Sequence, residues 1–181
     1  MVIVVFFFAM RSCEYTNFSR EELHPEAECR IKLLCIRNFC FFQCTQMFNN
    51  FKDDLFQADS ILITFEFQKN QECQETVTQE RSTDPDLCSV RSAASIIMFI
   101  VRIPGTSANT SINLFHDNSG KTILISSAVV VSILREAAAT MGEDALGYSP
   151  ANIGCHLTRS ACAMALYLAG FSVATIMHIG R

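Results

Sequence analysis

A chain of 181 residues is one domain's worth of polypeptide, and with half of its residues apolar it has ample material for a single core. Charged residues make up 18%, which argues against a disordered chain. The formal net charge of −4 argues against a general nucleic-acid coat, which needs clustered Lys and Arg to neutralise phosphates, so any contact with DNA has to come from a local basic pocket.

The first apolar run, Val2 to Met10, lacks the basic flank of a signal peptide and is about half of the ~20 residues needed to cross a bilayer. It reads as a buried helix, and no membrane partner is expected. Arg30 to Gln43, rich in Ile, Leu, Cys and Phe, suits a buried strand. Ile61 to Phe67 alternates, with Ile61, Ile63, Phe65 and Phe67 on one side and Leu62, Thr64, Glu66 and Gln68 on the other, the signature of a half-buried strand. Lys69-Asn70-Gln71 makes the turn, and Glu75 to Gln79 returns as an antiparallel partner.

After the polar Arg81 to Asp86 loop, Val90 to Val101 carries apolar residues at helical spacing and stops at Pro104-Gly105. Ser107 to Ser119 reads as loop. Ser126 or Ser127 caps the next helix, with Val130, Ile133, Leu134, Ala137, Ala138 and Met141 expected as one apolar stripe before Gly142. A final helix runs through Ala161 to Leu168 and stops at Gly170. The fold class predicted is α+β, mostly helical, with a small antiparallel sheet near the N-terminal part.

Nine cysteines with no Cys-x-x-Cys spacing fit neither a paired disulfide framework nor a zinc ribbon. Those in apolar runs, such as Cys35, Cys40 and Cys44, read as reduced core residues of an intracellular protein. His24 with Cys29, or His116 with Asp117, lacks the clustering a metal site requires, so neither metal nor cofactor is expected. Gly120-Lys121-Thr122 has Phe115 where a phosphate loop needs its first glycine. The sequons Asn17-Phe18-Ser19 and Asn109-Thr110-Ser111 carry little meaning in an intracellular chain.

The chemistry-bearing residues lie at the two ends and in the hairpin. Gly154-Cys155-His156-Leu157-Thr158-Arg159-Ser160 sets a His-x-x-Arg pair at a helix start, where an imidazole and a guanidinium three residues apart share one face and can converge on an anion. Phe6-Phe7-Phe8-Ala9-Met10-Arg11-Ser12-Cys13-Glu14 leads an apolar helix into an arginine with a glutamate three residues on. Ile61 to Asn70 runs a strand into Lys69.

In this order, arginine, lysine, histidine, arginine, the chain resembles the catalytic domain of the tyrosine recombinase and integrase family, closest to recombinase-like proteins of eukaryotic mobile elements. The resemblance includes the small-residue helix after Arg159, Gly170, the apolar run Val173 to Met177 and the Ile179-Gly180 ending. It implies a single catalytic-domain fragment over 1–181 that breaks and rejoins DNA through a phosphotyrosyl intermediate, with DNA as partner, a homo-oligomer on DNA in an intact relative, and nuclear localisation in a eukaryotic host.

The roles implied are Arg11 and Arg159 as a bidentate clamp on the scissile phosphate, His156 as general acid or base and Lys69 as the proton donor to the departing sugar oxygen. Glu14 would orient Arg11. Two departures stand out. Ser160 replaces a histidine common in bacterial relatives, and Arg181 fills the slot after Gly180 that usually holds histidine or tryptophan. Tyr15, Tyr148 and Tyr167 all precede the place of the family's nucleophile, and Tyr167 is expected to pack within its helix. The alternative reading is a catalytically dead mobile-element remnant that at most binds DNA.

Overall fold

The structure, a computed structural model, describes residues 1–10, 15–16, 33–67, 73–116, 121–154 and 156–180. Its architecture is α+β: a four-stranded antiparallel sheet with helices packed on one face, and a helical C-terminal part.

The sheet is built from β1 (Phe39–Gln43), β2 (Gln46–Met47), β3 (Ser60–Phe67) and β4 (Cys73–Glu80), in the order β2-β1-β3-β4. Pairing runs Phe39↔Ile63 and Phe41↔Ile61 on one side of β3 and Ile61↔Gln79, Ile63↔Val77 and Phe65↔Glu75 on the other. The period-two expectation is met from Ile61 to Glu66. Ile61, Ile63 and Phe65 are buried, whereas Leu62, Thr64 and Glu66 are only half-covered. Phe39 and Phe41 of β1 fill the same face beside them.

Helices α1 (Val2–Phe7) and α2 (Ser89–Ile100) pack against each other and supply the other half of the core. Val4 and Val5 come from the first, Phe8 from the residue that follows it, and Val90, Ala93, Ala94, Ile97 and Ile100 from the second. The residues of α2 recur at i, i+3, i+4 and i+7, a stripe that faces the sheet, and the small Ala93 and Ala94 let the backbone approach closely. The Cys88 thiol accepts from the Arg91 N–H at the start of α2. Of the run Val2 to Met10, read as one buried helix, Val2–Phe7 is helical with Val4 and Val5 buried, and the chain turns at Phe8 and Ala9. Among the described residues, no helix is long and apolar enough to cross a membrane.

Two expectations for the middle of the chain are corrected. Of the strand expected over 30–43, residues 30–32 lie outside the described residues, and from residue 33 on it begins only at Phe39, because Ile36–Asn38 forms a turn of 3-10 helix in which the Asn38 Oδ1 accepts from the Cys35 N–H at 2.7 Å. The stretch read as loop from Ser107 contains β5 (Leu114–His116), which pairs with β6 (Thr122–Leu124) as Leu114↔Leu124 and Phe115↔Ile123. The same stretch also returns to the residues before β1. Ile36 N donates to Thr110 O, Arg37 N to Ala108 O, and Ile112 N to Leu34 O, at 3.0, 2.9 and 3.0 Å. Three-residue strands are too short to carry a periodic pattern, and backbone pairing across more than 70 residues leaves none.

The C-terminal part consists of α3 (Ser127–Met141), α4 (Glu143–Leu146), α5 (Leu157–Leu168) and α6 (Val173–Gly180). Ser126 caps α3, its side chain accepting from the Val129 N–H at 3.4 Å. Of the six stripe residues expected on α3, Val130, Leu134 and Ala138 pack inward, while Ile133, Ala137 and Met141 face outward. The packed positions are four apart, so a single row of the helix touches the domain. Cys44 is also corrected: it is exposed in the β1–β2 turn at φ +53°, not in the core.

Candidate functional site

The His-x-x-Arg pair falls where the sequence sets it, at the opening of α5. His156 is the N-cap, exposed, with its backbone already helical, and it gives α5 no side-chain cap. Arg159 follows in the first turn and is half-buried. No acidic side chain occupies that turn, so the positive end of the helix dipole is not offset from within the helix.

The segment entering α5 is held from outside. Pro150–Asn152 forms a 3-10 turn, and Arg135 of α3 grips it with two hydrogen bonds, Nε to Ile153 O and Nη2 to Ala151 O, both 3.0 Å. A planar guanidinium can hold two carbonyls in one geometry where a lysine would hold one. Arg135 is therefore a positioning residue that sequence reasoning missed. The available signal was the one basic residue of a helix made mostly of small and apolar residues.

At its far end α5 closes with a Schellman turn: Phe171 N donates to Leu166 O and Gly170 N to Tyr167 O, at 3.1 and 3.0 Å, with Gly170 at φ +85°. The buried side of α5 carries Thr158 and Cys162. Burial pushes the Cys162 thiol up from its ordinary value.

Helix α1, which leads in sequence directly toward Arg11, packs against α5. Residues some 150 positions apart in the chain are thereby neighbours. Arg11 itself, Glu14 and Lys69 lie outside the described residues, as does Cys155 between Gly154 and His156. Lys69 belongs to the connection between β3 and β4. Of the four predicted site residues, then, the described structure brings together His156 and Arg159.

Tyr167 does not pack within its helix as expected. It is 61% exposed on α5, and Tyr148 is 44% exposed, whereas Tyr15 is fully buried. Among the described residues no group of three or more His, Cys, Asp or Glu side chains is placed to hold a metal ion. No protein-family model matches this chain, and neither a curated protein nor a solved structure does.

Proposed function

We propose that this chain is a DNA-binding catalytic unit of the tyrosine recombinase type, in which the first turn of α5 holds a phosphodiester of the DNA backbone. One observation carries the reading. His156 and Arg159 share the uncapped, acid-free first turn of a twelve-residue helix against which α1, the helix leading to Arg11, is packed.

In this reading Arg159 and Arg11 grip two oxygens of one phosphate and stabilise the charge that grows on them during strand transfer. His156, exposed beside Arg159, holds or moves a proton at the same phosphate. Lys69 protonates the departing sugar oxygen. Localisation to the nucleus of a eukaryotic host follows from such a substrate.

The negative overall charge makes the binding local and strongly dependent on salt. Binding is the step on which His156 and Arg159 bear directly, so the test is a fluorescence titration of duplex DNA at fixed, low salt. Arg159→Ala should weaken binding by about 1–3 kcal/mol, the scale of a charge-assisted contact left unmade. The exposed His156→Gln should weaken it with the thermal midpoint unchanged, which separates loss of a contact from loss of fold. Equal affinity of both variants and the parent would remove the phosphate from this helix end.

A further inference from the structure

We infer that β4 is a pairing edge at which two copies of this chain join their sheets, antiparallel and centred on Val77. The four-stranded sheet ends on one side in the two-residue β2 and on the other in the eight-residue β4. Strand β4 pairs with β3 from Ser60↔Glu80 to Phe67↔Cys73 and, among the described residues, with no strand on its far side. Alternate backbone N–H and C=O groups along that side point away from β3. Such an edge is a template for another strand, and proteins that must avoid pairing blunt it with lysine, proline, a bulge or short length. Cys73-Gln74-Glu75-Thr76-Val77-Thr78-Gln79-Glu80 contains neither lysine nor proline. Its one irregularity, Gln74 at φ +59°, lies near its beginning and leaves the strand from Glu75 onward regular.

The order of residues supplies the partner. Read outward from Val77 in either direction, the strand gives threonine, then Glu75 or Gln79, then Gln74 or Glu80. Over the regular part of the strand, an antiparallel pair centred on Val77 therefore sets Val77 against its own copy, Thr76 against the partner's Thr78 and Glu75 against the partner's Gln79. No carboxylate meets a carboxylate, which removes the like-charge penalty of directly opposed residues, the Gln79 Nε2 that faces the partner's Glu75 also donates to Phe7 O of its own chain at 3.2 Å, and threonine pairs are among the favourable ones. On the core side, Val77 already packs partly against the cluster beside Ile63, and the pairing extends that apolar row into the second copy. On the other side Thr76 and Thr78 are exposed and available to form the cross-strand pairs. A closed two-fold pair uses both edges at once and stops there.

The test is the solution mass of the full chain by light scattering or sedimentation over a range of concentration. The parent should weigh twice the 20.2 kDa of one chain. Thr76→Glu combined with Thr78→Glu sets two pairs of carboxylates face to face and should raise the dissociation constant at least about tenfold. Thr76→Lys combined with Thr78→Glu puts opposite charges at the same places and should restore the dimer. Both positions are exposed, and matching circular dichroism and melting curves will establish that the variants fold. A parent that stays monomeric up to roughly 100 µM would overturn the pairing. So would a double glutamate variant that dimerises as well as the parent, or a charge-swapped variant that fails to recover.

Discussion

Arg159 is half-buried at the first turn of α5 while His156 beside it is exposed, so the two basic residues of one motif meet solvent differently. The thiols differ in the same manner. Burial raises Cys162 and Cys40 above their ordinary values and so disfavours the reactive thiolate, while Cys44 sits exposed in a turn. Iodoacetamide at neutral pH, followed by peptide mapping, should modify Cys44 well before Cys162, and the reverse order would contradict the burial of α5. The raised thiols also bear on alkaline stability. The fold favours their protonated form, so that contribution is full below the ordinary thiol value of about 8.5 and is lost as pH rises through the higher folded value. The thermal midpoint should fall above that pH more steeply in the parent than in a Cys162→Ala variant.

At the scale of elements, the grip of Arg135 on Ala151 and Ile153 couples α3 to the entry of α5. Arg135→Ala should cost about 1 kcal/mol, since each bond is worth about that much and the side chain is largely open to water, and it should lower DNA affinity as well if the α5 opening is the phosphate site. A variant with unchanged melting would show that the turn holds itself. Gly170→Ala should cost about 1 kcal/mol, because a β-carbon is disfavoured at φ +85°.

Helices and the alternating strand were legible because their apolar periodicity reports burial directly. β5 and β6 were not, being three residues each, and the start of β1 was displaced by a side-chain bond from Asn38 that no periodicity records. The stripe on α3 was overread. An apolar residue states what could be buried, and only Val130, Leu134 and Ala138 find something to cover them.

Across the whole molecule the core is uneven. Sheet, α1 and α2 form a closely packed body, but α5 and α6 are apolar on nearly every side and covered on one. Leu168 is 77% exposed and Met177 71%, with Met164, Tyr167 and Val173 exposed as well. A helix apolar all round is built to be covered all round, and an exposed apolar patch of this extent favours association. Leu168→Ser with Met177→Ser should therefore change stability by less than about 0.5 kcal/mol while reducing aggregation, in contrast to Ile63→Ala in the core, which should cost about 2–5 kcal/mol. A large loss of stability from the surface pair would mean that these side chains are covered within one chain. As for the site, the sequence marked His156 and Arg159 at a helix start and the structure puts them there, because a small-residue run that ends at a glycine is a local signal. Arg135 was not marked, since its role depends on a fold-level approach of two helices.

The central claim is that Arg159 and Arg11 act on one phosphate, and a double-mutant cycle in DNA binding tests it most directly. With Arg11→Ala, Arg159→Ala and the combined variant titrated at the same low salt, a shared phosphate predicts that the double variant loses less than the sum of the single losses, by roughly 0.5–3 kcal/mol, because either substitution alone already breaks the clamp. Losses that simply add would place the two arginines on separate phosphates and contradict the account.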